Sequence, residues 1–114
     1  MRKKNIIIYG ATGSIGNSTL NLIRSNKNEF NVVGLTCNEN INKLIEIANE
    51  FNCKKIGIGK KELTTEYKNQ LANYTVSIGI DEFYDLTIDS DVDIVIFAIS
   101  GSAPLRLLMQ LANS

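Results

Sequence analysis

The stretch "IIIYGATGSIGNSTL", residues 6 to 20, constrains the fold more than any other part of this 114-residue chain. An apolar run stops at Tyr9, glycines follow at 10, 13 and 16, and Ile15, Thr19, Leu22 and Ile23 then recur at helical spacing. A short continuous apolar run bounded by glycine reads as a buried strand, and the change of period marks a helix beginning near Ser14. The connection between them, Gly10-Ala11-Thr12-Gly13, therefore lies at a helix start, where the first N–H groups have no intrahelical partner and the dipole favours an anion. Each glycine has a separate physical task. Gly10 permits the tight turn, Gly13 keeps a Cβ out of the path of a pyrophosphate, and Gly16 lets the helix lie close to the sheet. Thr12, Ser14 and Ser18 add hydroxyl donors. A P-loop would need a lysine after the glycines; Gly16-Asn17-Ser18 has none, so ATP or GTP hydrolysis is not expected.

The same alternation continues along the chain. "FNVVGLT" (30 to 36) reads as a second strand, and Ile41, Leu44, Ile45 and Ala48 as the apolar stripe of a helix with Asn38 or Asn40 as N-cap. "KKIGIG" (54 to 59) is a third strand, residues 61 to 73 a polar helix with Leu63, Tyr67 and Leu71 inward, and "TVSIG" (75 to 79) a fourth strand before a helical turn around Phe83 to Leu86. "VDIVIFAIS" (92 to 100) is nearly all apolar, as expected of a central parallel strand covered on both faces. Pro104 suits the first turn of a last helix carrying Leu105, Leu108, Met109 and Ala112. Strands alternating with helices imply an α/β fold, a doubly wound parallel sheet of Rossmann-like dinucleotide-binding type, with residues 1 to 114 as one domain.

Composition narrows the chemistry. Twelve basic and twelve acidic residues cancel, which removes the electrostatic case for a nucleic-acid partner. The basic start and Ile6–Ile8 are too short for a signal peptide or membrane span, so no membrane partner is expected. The setting is cytoplasmic, or a plastid-type organelle if a transit peptide has been removed. With no histidine, and with Cys37 and Cys53 far apart, neither a zinc site nor a disulfide framework is expected; both cysteines read as reduced, partly buried thiols.

Two further places face a ligand in such a fold. After the second strand comes "LTCNEN", where an acid would bind a ribose 2′-hydroxyl and a cation a 2′-phosphate. Thr36 and Cys37 are neutral and Glu39 follows in the loop, so the residues support neither arrangement cleanly; Glu39 equally suits the first turn of a helix, and Asn38 or Asn40 its cap. Lys43, one turn on, reads as a solvated lysine. At the end of the late strand, Ala98, Ser100, Gly101 and Ser102 are small enough for a flat ring and ribose to approach, or simply form a strand exit before Pro104.

These residues resemble the 1-deoxy-D-xylulose 5-phosphate reductoisomerase family. "IYGATGSIGNSTLNLIR" (8 to 24) looks like that family's first strand, turn and helix, "FNVVGLTCNENINKLIEIANEF" (30 to 51) its second strand and helix, and "VDIVIFAISGSAPLRLL" (92 to 108) a later strand and proline-started helix. The resemblance implies that Thr12, Gly13, Ser14 and Ile15 contact a cofactor's pyrophosphate, that Asn38, Glu39 and Asn40 face the adenosine 2′-phosphate, and that Ala98 and Ile99 line the cofactor's other side. It implies NADPH as the dinucleotide, a phosphorylated sugar as substrate, Mg²⁺ or Mn²⁺ in the full-length enzyme, and a homodimer. The family's loop commonly carries a lysine where this chain has Glu39, and a carboxylate beside a phosphate is repulsive. Likewise "GSAPLRL" replaces the family's usual glycine-leucine-x-proline-threonine-leucine. Family members are much longer, and their metal ligands and catalytic histidine lie in later segments, so no catalytic and no metal residue is assigned and the chain reads as the N-terminal fragment of a longer enzyme.

Rival readings are other NAD(P)-dependent dehydrogenase domains and a non-catalytic dinucleotide-sensing module. A sugar-nucleotide epimerase would carry Tyr-x-x-x-Lys, and no tyrosine of this chain has a lysine four residues on. A semialdehyde dehydrogenase would need an activated cysteine, and neither Cys37 nor Cys53 has a histidine partner.

Overall fold

The pleat of the first strand sorts its residues onto two faces. Ile6 and Ile8 enter the larger core, whereas Ile7 and Tyr9 join a smaller cluster around Phe83 on the opposite side. The computed structural model describes residues 3–59, 65–79, 82–83 and 91–99. Within them run β1 (Lys4–Tyr9), α1 (Ser14–Ser25), β2 (Phe30–Cys37), α2 (Ile41–Glu50), β3 (Lys55–Ile58), α3 (Thr65–Gln70), β4 (Thr75–Ile78) and β5 (Ile94–Phe97). All neighbouring strands pair in parallel, in the order β4-β3-β2-β1-β5.

That order is the one expected of a doubly wound sheet. From β1 to β4 the chain steps outward in one direction, and α1, α2 and the Tyr67–Leu71 segment pack on the same face, as right-handed crossovers require. Between β4 and β5 the chain returns past β1, which demands a crossover on the other face. Phe83, from that connection, is buried there against Ile7 and Tyr9. The Tyr9 and Phe83 rings stack with centroids 6.2 Å apart, and the Tyr9 hydroxyl donates to the Phe83 carbonyl at 3.1 Å.

An irregularity in β2 adjusts the register: Ile6 pairs with Val32, but Ile7 pairs with Gly34. The extra residue resets the alternation, so Val32 and Leu35, three apart, both reach the helix-side core while Val33 packs on the other face.

Three expectations from the sequence need correction or restriction. The stripe expected on α1 included Ile15 and Leu22, yet these are 62% and 67% exposed; the buried face is Gly16, Leu20 and Ile23. Close approach at Gly16 turns that face inward and rotates Ile15 and Leu22 to solvent. Among the described residues the late strand, expected to be central, pairs with β1 alone, and Val95 is 36% exposed. An apolar run reports burial of the two faces, not the number of neighbouring strands. Ile94 and Ile96 pack on the helix-side core, and Phe97 and Ile99 on the Tyr9 cluster. The helix expected over 61 to 73 is described from Thr65 to Gln70, with Leu71 buried behind it; its start and Leu63 lie outside the described residues. So do residues 84–86, Ser100, Gly101, Ser102 and the helix expected from Pro104.

The second helix follows its pattern, with Ile41, Leu44, Ile47 and Ala48 buried, and Asn40 is its N-cap, accepting from the Lys43 amide at 3.4 Å. Arg24 and Glu50 tie α1 to α2 through two bonds of 2.5 and 2.7 Å, and the guanidinium lies over the Phe51 ring at 5.4 Å.

Candidate functional site

The glycine turn sits at the carboxyl end of β1, beside the exit of β5, where the strand order reverses. Ligands of open α/β sheets bind at such a crevice. Gly10 is required there on two counts. Its φ of +91° belongs to the region that side chains avoid, and an added Cβ would stand 2.8 Å from the Ala98 carbonyl oxygen and 3.2 Å from the Ile99 nitrogen. The Ala98 amide in turn donates to the Tyr9 carbonyl at 2.7 Å, so the two strand exits are held together.

Gly16 closes the turn from the other side. A Cβ on it would lie 2.3 Å from the Gly10 carbonyl oxygen and 2.7 Å from the Cα and carbonyl oxygen of Ala11. The contact is with the turn's own backbone, so the first turn of α1 is seated directly on the loop that precedes it. Gly13 differs from both: it is the N-cap of α1, extended at φ −84° and ψ −178°, and an added Cβ would meet nothing nearer than 3.9 Å. No side chain caps this helix. The Asn17 amide makes the first helical bond, to the Gly13 carbonyl at 2.9 Å, which leaves the amides of Ser14, Ile15 and Gly16 without an acceptor within the helix. Thr12 is half-buried, Ser14 and Ile15 are exposed, and no acidic residue occupies the first turn. Backbone donors, helix dipole and an open approach together form an anion cradle.

The second predicted region, Asn38, Glu39 and Asn40, is exposed at the carboxyl end of the adjacent strand. Its position is held by the Gly59 amide, which donates to the Cys37 carbonyl at 2.9 Å, and by the bare Gly59 Cα, where a Cβ would stand 2.6 Å from the Asn38 carboxamide oxygen. Asn40 uses its side-chain oxygen to cap α2. Among the described residues no hydrogen bond joins this loop to the glycine turn. The two lie at the ends of neighbouring strands, as the halves of an extended ligand require. Gly10 does meet Gly16 on one side and Ala98 and Ile99 on the other.

The sequence marks Thr36 only as a neutral residue at the end of the second strand, not as a partner of the glycine turn. Thr36 is 0% exposed, and its hydroxyl accepts from the Gly10 amide at 2.9 Å while its carbonyl accepts from the Ala11 amide at 2.7 Å. A lone hydroxyl in the otherwise apolar end of β2 was the available signal. Cys37 and Cys53 are free and buried, and burial pushes their thiols up to about 12 and about 11. Neither is poised as a nucleophile. Among the described residues no three metal-binding side chains gather in one place, and no helix is long and apolar enough to cross a membrane.

Comparison with known proteins agrees with this geometry. Residues 6–113 match the family model described as 1-deoxy-D-xylulose 5-phosphate reductoisomerase. The protein of that name from Nitrobacter winogradskyi is 33% identical over 104 residues, which are 90% of this chain and 26% of the relative. A solved structure of the reductoisomerase from Zymomonas mobilis in complex with NADPH is 34% identical, with a TM-score of 0.79 over 92% of this chain and 28% of that one. Another, of a reductoisomerase in complex with NADPH, fosmidomycin and magnesium, is 31% identical with a TM-score of 0.81 over 90% and 26%. The chain thus spans little more than a quarter of the length of the proteins it matches.

Proposed function

The chain belongs to the 1-deoxy-D-xylulose 5-phosphate reductoisomerase family, and on that footing we propose that residues 1–114 form a single NADPH-binding, Rossmann-like domain at the N-terminal end of a longer enzyme. The observation that carries the reading is the uncapped start of α1 at Gly13, open to an anion beside the point where the strand order reverses. The amides of the Gly13-Ser14-Ile15-Gly16 segment, with the Thr12 and Ser14 hydroxyls, hold the pyrophosphate. Gly10 shapes the turn beneath it. Asn38, Glu39 and Asn40 face the adenosine 2′-phosphate, and Ala98 and Ile99 line the other side.

Bound NADPH supplies the hydride; this domain orients the dinucleotide so that the reacting carbon is fixed against the substrate. The complete enzyme rearranges 1-deoxy-D-xylulose 5-phosphate and reduces the product to 2-C-methyl-D-erythritol 4-phosphate in non-mevalonate isoprenoid biosynthesis. Its Mg²⁺ or Mn²⁺ ligands belong to other parts of the protein, and it acts as a cytoplasmic homodimer on small molecules, without nucleic-acid or membrane partners.

The test is a side-by-side titration of the complete protein with NADPH and NADH, followed by nicotinamide fluorescence, and a turnover assay with 1-deoxy-D-xylulose 5-phosphate and a divalent metal. NADPH binding with NADPH oxidation supports the reading. Dinucleotide binding without turnover of that substrate favours another dehydrogenase or a sensing module, and a folded protein that binds neither nucleotide overturns the assignment of the turn.

A further inference from the structure

We propose that Thr36 is a positioning residue for the dinucleotide, acting from the neighbouring strand through the glycine turn; the inference rests on the cofactor reading above. One residue of β2 receives two successive amides of the turn, Gly10 on its hydroxyl at 2.9 Å and Ala11 on its carbonyl at 2.7 Å. The hydroxyl is directed by packing. Thr36 is fully buried, and its methyl lies 3.0 Å from the place where a Cβ on Gly57 would stand, in the same tight corner as the Phe83 ring. A β-branched side chain so confined keeps one χ1 rotamer.

With the first two amides bound to β2, the peptide planes of the turn are set. The Gly10 carbonyl faces Gly16, and the donors left for a phosphate are those of the helix start. Valine has nearly the shape of threonine but cannot accept the Gly10 amide. A buried donor without an acceptor is costly, so the turn rotates toward another partner and carries the helix start with it. Thr36 touches no ligand itself; it decides where the cradle's amides point.

The experiment uses the complete protein and the variants Thr36→Val, Thr36→Ser and Thr36→Cys. Dissociation constants are measured for NADPH and for adenosine 2′-monophosphate, which has the 2′-phosphate but no pyrophosphate, together with thermal melting and steady-state kinetics. Thr36→Val is expected to weaken NADPH binding about fivefold or more, the scale of one net hydrogen bond. KM for NADPH rises while kcat at saturation holds, and binding of adenosine 2′-monophosphate stays within about twofold of wild type. Thr36→Ser, which keeps the acceptor but loses the methyl that directs it, retains most of the NADPH binding and Thr36→Cys, a weaker acceptor, falls between it and valine, so the ranking reads out even if the valine variant does not fold. Equal NADPH affinity across the series, or equal weakening of both ligands, overturns the inference while leaving the cofactor reading in place. Wild-type protein that binds no NADPH overturns the cofactor reading first, and the inference with it.

Discussion

Replacing Gly16 by alanine separates a glycine needed for packing from one needed for access. In solvent-exposed helices the change would stabilise by about 1 kcal/mol, because alanine has the better helix propensity. At Gly16 the new Cβ would stand 2.3 Å from the Gly10 oxygen and 2.7 Å from two backbone atoms of Ala11. Ordinary carbon contacts begin near about 3.5 Å, so the helix start must withdraw by about 1 Å. Backbone cannot yield as a flexible side chain would, and overpacking of this kind costs roughly 1–3 kcal/mol, sometimes more. The turn also holds Ala98 and Thr36, so the displacement spreads to the exits of β5 and β2. The expected net loss is about 2 kcal/mol, with NADPH affinity lowered at least tenfold. Gly13→Ala provides the control: its φ of −84° suits alanine and its Cβ would come no nearer than 3.9 Å to the Gly10 carbonyl oxygen, an ordinary contact, so stability changes by no more than about 0.5 kcal/mol. Urea denaturation and nicotinamide fluorescence of both variants in the complete protein check the pair. A Gly16→Ala protein as stable and as tight-binding as wild type would refute the packing argument, and equal loss of stability from the two substitutions would refute the distinction.

Removing the carboxylate in Glu39→Gln is expected to strengthen NADPH binding relative to NADH about two- to fivefold, and less at high salt, since the site is exposed and screened; an unchanged ratio in paired titrations means Glu39 points away from the 2′-phosphate. The buried thiols should resist a thiolate-directed reagent at pH 8 until the protein is unfolded. Their folded-state values, about 12 and about 11, lie above the ordinary 9.0, so the folded protein keeps protons that the unfolded chain releases. Stability should therefore decline as pH rises above about 9, and Cys37→Ala should reduce that decline in denaturation curves taken across the range. Arg24→Ala should cost under about 1 kcal/mol, because the ion pair with Glu50 is partly exposed. The Arg24 hydrogen bond holds the Glu50 carboxyl below its ordinary 4.5, so this contribution is present above pH 4.5 and fades as acid protonates Glu50; a wild-type-to-variant difference that does not shrink on acidification would count against the pair.

Local signals sufficed for much of this protein. Continuous apolar runs, helical spacing and the glycine triplet depend on neighbours in the chain, and the sequence by itself determined the α/β alternation, the turn after β1 and the family, and narrowed the cap of α2 to Asn38 or Asn40, of which the structure uses Asn40. The positive φ at Gly10 was legible for the same reason, since a tight turn from strand to helix needs a residue without a Cβ. What only the tertiary structure decided involves residues far apart in sequence. Ile15 and Leu22 have helical spacing, but the depth to which Gly16 lets α1 settle on the turn selects the face of Leu20 and Ile23 instead. "VDIVIFAIS" reads locally as a parallel strand, yet its pairing with β1 rather than with β4, the strand before it in the chain, follows from the crossover past β1, which no local pattern encodes. Thr36 lies 26 residues from Gly10, and its bond to that amide exists because β1 and β2 are neighbours in register. Periodicity reports which side of an element is buried; three-dimensional packing decides what it is buried against, and in this domain that second decision shapes the cradle.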